Sequence, residues 1–327
     1  MPRVNRNKFI PNINKKIEKL LKKLRFQPEV SPRAFLKKTK GGKHRYNSVC
    51  FNSKGKKLIF YARLHNNPDA KRKMMTEVLL AKNTEMLNKL SYFPKYYQSK
   101  IAKSFEWFSR EYIKENPLGN NEKLSRKLND KQAKILAKAL WQISQLSPNL
   151  LNHPCLKKSS PNEYLKAKQA LKECLNKKII DKELYKKGNV LFKENKELIK
   201  KEHKYICHGD INLGNLIFQK NNLKIIDWES MHINNFAFDI GYLFTHLWQA
   251  PRSFRKVLMR DYLTYLPKKK TQNFKSLFRL VILYLCLGGI FYKPKKIKNK
   301  RQLKKRRRFF KNLLKNSILG FEEIIKT

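Results

Sequence analysis

Between Tyr205 and Glu229 the chain reads YICHGDINLGNLIFQKNNLKIIDWE. Asp210 and Asn215 stand five residues apart in a glycine-containing loop. The apolar run Leu216-Ile217-Phe218, a polar turn at Asn221-Asn222 and a second apolar run from Leu223 lead to Asp227. Two short strands joined by such a turn bring Asp227 back beside the loop of Asp210 and Asn215. Two carboxylates and one amide oxygen then converge with no basic residue beside them. Hard oxygen ligands of this kind suit Mg²⁺, which keeps waters and binds through one or two carboxylates together with substrate phosphates. Phosphoryl transfer needs the same parts: a carboxylate to orient or deprotonate a hydroxyl, and oxygen ligands for the metal that bridges the phosphates. A lone Asp or Asn is more often a turn or cap residue. The joint pattern of H-G-D-x4-N, hairpin and I-D-W-E is far more restrictive.

This stretch is set apart by charge. The 327 residues include 75 Lys or Arg and 24 Asp or Glu, a formal charge of +51. Residues 1–45 hold 15 basic against 2 acidic residues, and residues 293–327 hold 14 against 2. Tyr205 to Ala250 has only Lys220 and Lys224 against Asp210, Asp227, Glu229 and Asp239, a net of −2; at the mean density it would carry about +7. A charge this large favours polyanionic surroundings such as nucleic acid, anionic lipid or phosphorylated substrates. The hydrophobic fraction of 41% excludes a wholly disordered chain. Five scattered cysteines (Cys50, Cys155, Cys174, Cys207, Cys286) form no CxxC pair, which excludes a disulfide framework and a cysteine-rich zinc site and fits a cytoplasmic setting. The N-terminus has no apolar core of signal-peptide length. The apolar run Leu280 to Tyr292 is short for a membrane span and reads as a buried helix.

The elements that must carry these residues follow from periodicity. Ile13, Ile17, Leu20, Leu21 and Leu24 fit a basic amphipathic helix, packed on its own domain or laid on an anionic surface. Gly41 to Arg63 reads as a hairpin about Ser53-Lys54-Gly55. A helix is expected from about Asp69 to Leu90, a strand over FEWFSREYI (105–113), and a helix from Lys131 to Leu146 that stops at Ser147-Pro148. Residues 161–201 are Lys-rich and helical. The run KPKKIKNKRQLKKRRR (293–308) has 11 bases in 16 residues and reads either as a polyanion-binding segment or as a solvated linker before a last helix at Phe310, Leu313, Leu314, Ile318 and Phe321. A β-rich first third and a helical remainder give an α+β chain of two lobes. The expected parts are a basic N-terminal segment (1–34), an N-lobe (35–115), a C-lobe (116–292) and a basic tail with a final helix (293–327).

HGDINLGN followed by IIDWE resembles the aminoglycoside phosphotransferase and choline kinase-like superfamily, relatives of the protein kinases. The resemblance implies a bilobal protein kinase-like fold, with a small β-rich N-lobe for nucleotide and a larger helical C-lobe for catalysis and acceptor. It makes Asp210 the catalytic base, Asn215 a metal ligand and Asp227 the main Mg²⁺ ligand. His208 opens the catalytic loop and holds its shape, and Asp239 in FDIGYLF is the structural carboxylate of the C-terminal lobe. By the same resemblance TKGGKHRYNSVCF, with Gly41, Gly42 and Asn47, covers the nucleotide phosphates. Arg63 in IFYARL takes the place of the phosphate-contacting lysine, with Glu77 as its ion-pair partner. The backbone of Glu111 to Ile113 would hydrogen-bond the adenine. The implied cofactors are ATP and Mg²⁺, and the implied activity is transfer of the γ-phosphoryl group to a hydroxyl.

The acceptor is approached by charge. Cationic acceptors need carboxylates or an aromatic cage, and after Asp239 the chain offers only Asp261, Glu322 and Glu323. A sugar or other neutral or anionic hydroxyl compound is therefore expected rather than an aminoglycoside. The competing expectation is a catalytically weak kinase-like protein that binds nucleic acid or an anionic membrane through its basic termini.

Overall fold

The computed structural model describes residues 8–39, 43–83, 90–101, 105–120, 123–147, 157–158, 162–291 and 299–327. They fall into two compact units. The first runs through Glu115 and takes in Lys224–Ser230. It begins with α1 (Ile13–Lys23), whose Ile13, Ile17 and Leu21 recur at helical spacing and are buried. The stripe packs with Phe26, Phe35, Tyr46 and Phe60, so this apolar face lies inside its own unit and is not open to a lipid surface. β1 (Gln27–Pro28) and α2 (Pro32–Thr39) lead into β2 (Arg45–Phe51) and β3 (Lys57–Arg63). Along β2 the residues Tyr46, Ser48 and Cys50 are buried and their neighbours are not, the period of two of a strand with one covered face.

Asn67 caps α3 (Pro68–Lys82) by accepting from the Asp69 amide at 2.9 Å, and Pro68 stands where a helix has no use for an N–H. β4 (Tyr96–Ile101) and β5 (Glu106–Glu111) complete a five-stranded antiparallel sheet of order β1-β2-β3-β5-β4. Buried between β3 and β4, β5 is covered from Glu106 to Arg110. One face meets α1 and α2 through Phe60 and Trp107, whose rings stack at 5.7 Å. The other carries Tyr61, Phe108 and Tyr96 toward α3. Of the helix expected over 69–90, residues 84–89 lie outside the described residues.

The second unit begins at Asn116. An Asn129–Gln132 capping box starts α4 (Asp130–Ser144). After β6 (Lys157–Lys158) come α5 (Asn162–Asn176), α6 (Lys182–Glu194) and α7 (Lys196–Lys201). The loop of Asp210 then lies between β7 (Tyr205–Cys207) and β8 (Leu216–Gln219), which pairs with β9 (Asn222–Ile225). β10 (His232–Asn234) pairs with β7 and leads to α8 (Phe238–His246). The remaining helices are α9 (Arg252–Tyr265), α10 (Lys268–Phe291), α11 (Lys300–Leu319) and α12 (Phe321–Lys326).

By length and composition Lys268–Ile290 could cross a membrane. In this unit it is the central helix, with Phe274, Leu277, Phe278 and Val281 fully buried against its neighbours. Gly241 of FDIGYLF lets α8 press on it: a Cβ there would stand 2.4 Å from Val281 Cγ1. The reading of 293–308 as a linker is corrected over 300–308, which form the first half of α11. Asn299 caps this helix by accepting from the Arg301 and Gln302 amides. Lys and Arg are good helix formers, and burial of Phe309, Phe310, Leu313 and Leu314 anchors the remainder. Residues 293–298 lie outside the described residues.

Candidate active site

In the second unit, the Asp210 loop is fastened at its entrance. The Asp239 carboxylate accepts from the His208 amide at 2.7 Å and from the Gly209 amide at 3.0 Å. Burial pushes the Asp239 carboxyl up, while His208 and the two amides pull it down. Gly209 has φ +82, a left-handed backbone that a side chain resists. His208 is fully buried and its Nδ1 accepts from the Asp210 amide at 3.2 Å. It contacts the loop backbone.

The Asp210 side chain is half-buried and held from three sides. Its Oδ1 accepts from Asn212 Nδ2 and from the Tyr242 hydroxyl, both at 2.9 Å. Its Oδ2 has a longer contact, 3.3 Å, from Asn215 Nδ2. Asn212 also caps the tight turn Leu213–Asn215 by accepting from Gly214. Asn215 donates to the Asp210 carbonyl at 2.8 Å, and its amide oxygen remains as a hard donor, as a divalent cation requires. Burial and the neighbouring Asp210 carboxylate push the Tyr242 phenol well up, so it stays a donor.

In the first unit, Asp227 has φ +66, a strained position that Asp tolerates better than most residues. The turn is held by Trp228, whose indole donates to the Ile225 carbonyl at 2.7 Å and stacks on Phe93 at 4.3 Å. The half-exposed Asp227 carboxylate is an oxygen donor of the kind Mg²⁺ takes. Arg45 Nη2 lies 3.0 Å from its Oδ1, and Arg45 Nη1 donates to Glu229. His44 Nε2 lies 3.6 Å and Lys73 Nζ 3.5 Å from the Glu229 carboxylate. Burial alone would raise the Glu229 carboxyl, but His44, Arg45 and Lys73 outweigh it and hold it at about 2. Burial works against the Arg45 charge too, and Asp227 and Glu229 more than compensate, raising its pKa.

The expected Arg63–Glu77 ion pair is corrected. Arg63 is buried with Nε on Glu106 at 2.5 Å and Nη1 on the His65 carbonyl at 2.8 Å. Ala62 pairs with Trp107 in the β3–β5 register, which puts Glu106 next to Arg63 on the adjoining strand. Glu77 instead accepts from the Tyr96 hydroxyl. Burial pushes its carboxyl up to about 7, with Tyr96, Arg110 and Arg45 pulling down and Asp227 pushing up.

This has a sign that can be checked. The native chain keeps the Glu77 proton at pH values where the unfolded chain has released it. The stability contribution is therefore complete below about 4.5 and is lost as pH rises through about 7. Glu77→Gln should flatten that slope and raise stability at pH 8 by on the order of 2 kcal/mol. Urea melts at pH 5 and pH 8 check this, and parallel profiles for the two proteins would contradict it.

Asn47 lies half-buried on β2 opposite Tyr61, on the face that carries Arg45. At the end of β5 the Glu111 amide donates to the Lys95 carbonyl at 2.8 Å, so that N–H is not available to a base. The Glu111 carboxylate is held by Lys224 at 2.9 Å. The amide of buried Ile113 finds no acceptor among the described residues. Gly41 and Gly42 lie outside the described residues.

The model of the phosphotransferase enzyme family matches residues 62–270. The chain belongs to that family. No curated protein matched the sequence. Among solved structures, this phosphotransferase is similar to the macrolide 2′-phosphotransferase of Brachybacterium faecium, with TM-score 0.52 and 12% identity over 93% of this chain and 98% of that one. A choline kinase from Cryptosporidium parvum gives 0.52 at 16% identity, covering 96% and 99%. An amicoumacin kinase in complex with AMP-PNP, Ca²⁺ and Ami gives 0.51 at 14% identity, covering 91% and 92%. The fold is thus the α+β protein kinase-like fold, with the antiparallel sheet in the N-terminal part and helices in the C-terminal part.

Two residues of this phosphotransferase escaped the sequence reading. Arg45 carried no local signal, because its partners lie more than 180 positions away. Tyr242 could have been found, since it stands three residues after Asp239 and an i, i+3 pair shares a helix face.

Proposed function

We propose that the protein is a Mg²⁺- and ATP-dependent kinase that phosphorylates a hydroxyl of a small neutral or anionic molecule. The observation that carries this is the Asp210 carboxylate, held by Asn212, Tyr242 and Asn215 on a loop fastened by Asp239, in a chain of the phosphotransferase family. Asp210 Oδ2, which accepts the longer contact from Asn215, would receive the hydroxyl proton. The acceptor oxygen forms its bond to the γ-phosphorus as the bond to the β–γ bridging oxygen breaks. ADP leaves with that electron pair, and the proton passes to Asp210.

Asn215 of the second unit and Asp227 of the first are the oxygen donors that the resemblance assigns to Mg²⁺, which would supply charge neutralisation at the phosphate oxygens. Arg45 is the further cation for those phosphates, in place of the buried and paired Arg63. The Glu111 carbonyl and the Ile113 amide would receive the adenine edge. That an amicoumacin kinase of this fold was solved with AMP-PNP and Ca²⁺ supports nucleotide and divalent-cation use.

Calorimetric titration with AMP-PNP tests the reading. Binding should need Mg²⁺, and Asp227→Ala should weaken it about tenfold by removing a charged ligand, while Asp210→Asn leaves it intact. Equal binding with and without Mg²⁺, or no binding, would contradict the proposal.

A further inference from the structure

α11 has no acidic residue in its 20 positions. Lys304, Arg308 and Lys315 are exposed along its crest. Lys300, Arg307 and Lys311 are exposed on one flank, and Arg301 and Lys305 on the other. At about 100° per residue these bases sweep an arc of about 160°, and they run for about 22 Å along the helix. None of them is paired with a carboxylate among the described residues.

Other helices of the same unit set bases against acids. Glu173 of α5 takes Lys177, Glu183 takes Lys187 on α6, Glu197 takes Lys200 on α7, and Glu323 takes Lys326 on α12. On α11 the neighbours one turn apart are like charges, among them Lys300 and Lys304, Lys304 and Arg308, and Lys311 and Lys315. Such pairs oppose the helix. Lys300 and Arg301 also stand in the first turn with no acid beside them, where the helix dipole disfavours cations. A polyanion along the outer side would relieve both.

Shape and polarity choose the polyanion. A bilayer takes up the apolar side of a surface helix. On α11 that side is buried from Phe309 to Ile318, and the exposed apolar residue, Leu319, stands at the end away from the first-turn bases. A flat surface would also leave one flank idle. The major groove of B-form DNA is about 12 Å wide and admits an α-helix, with phosphates along both rims for crest and flanks alike. The major groove of duplex RNA is deep and narrow and would not take the helix.

We propose that α11 is a docking helix for duplex DNA, seated in the major groove with its crest and both flanks on the phosphates. Contacts to phosphate position a protein without reading bases, so the binding is independent of sequence. It is a second activity of the chain and stands without phosphoryl transfer.

The test is fluorescence anisotropy of a short labelled DNA duplex with the full-length protein over a range of salt. Wild type should bind with log K falling against log salt at a slope of about −4 or steeper. Lys304→Gln/Arg308→Gln/Lys311→Gln should make the slope shallower by about 3 and lower affinity at about 0.1 M salt on the order of a hundredfold. Lys131→Gln/Lys134→Gln/Lys138→Gln, on the exposed side of α4, removes the same charge and should bind nearly as wild type does. Arg301→Gln and Arg307→Gln, on opposite flanks, should each weaken binding.

The inference is overturned if wild type does not bind, or if the α4 triple loses as much as the α11 triple, which would assign binding to net charge alone. It is overturned equally if only one flank matters. The same holds if duplex RNA or phosphatidylglycerol vesicles displace the labelled duplex better than unlabelled DNA at equal phosphate concentration. Gln is a good helix former, so the α11 triple should melt no lower than wild type. Should it melt lower, the wild-type salt slope and the competitors decide.

Discussion

Replacing Asp210 by Asn is expected to lower kcat about a thousandfold, within the range that a positioned general base supplies. The side chains have nearly the same shape, and Asn keeps one oxygen to accept from Asn212 and Tyr242, so the loop should hold its form. The oxygen with the free side, Oδ2, is the one lost, because an amide nitrogen there can receive no proton. The KM for nucleotide and the melting temperature should stay near wild type. A variant that kept a tenth or more of wild-type turnover would mean that Asp210 orients nothing essential.

The second large effect is expected at Asp239, which touches no reacting atom in this account. Its carboxylate accepts from the two amides that open the Asp210 loop, at 2.7 and 3.0 Å. Asp239→Ala leaves both donors without that acceptor, and each unsatisfied buried donor costs about 1–3 kcal/mol. A stability loss of about 4 kcal/mol is the expected sum. Gly209, already in the left-handed region, would be free to relax, and kcat should fall because Asp210 follows it along the chain. Denaturant melts and steady-state rates measure both. A variant as stable as wild type would show that the loop is fastened elsewhere.

The parts legible in the sequence were those built from neighbours along the chain. HGDINLGN holds its own turn: Asn212 caps Gly214, Asn215 donates back to Asp210, and Gly209 supplies the backbone bend. The alternation of β2 and β3 and the stop of α4 near Ser144 are equally local.

What the sequence could not rank was competition between like groups brought together by pairing. Arg45 and Arg63 stand opposite each other in the β2–β3 register. One neighbour in the next strand, Glu106, captures Arg63 and leaves Arg45 to the acidic turn at Asp227 and Glu229. Glu77, deprived of Arg63, settles on a tyrosine hydroxyl. The basic run before Phe309 hid a helix for another reason. Its buried apolar stripe starts ten residues after the N-cap, so periodicity gave no sign of the first two turns.

The charge of the chain also divides by place. The Lys and Arg on the outer side of α11 face solvent, whereas Arg45 and Arg306 are set against acidic or aromatic partners.

The most direct measurement follows the γ-phosphoryl group itself. Wild-type protein and Asp210→Asn are incubated with Mg²⁺, γ-³²P-labelled ATP and a broad pool of small hydroxyl compounds that includes sugars and their phosphates, and the labelled products are separated. Label should pass to a small hydroxyl compound with wild type and should stay on ATP with Asp210→Asn. Label that remained on ATP with both proteins, or moved equally fast with both, would contradict the assignment of phosphoryl transfer to the Asp210 loop.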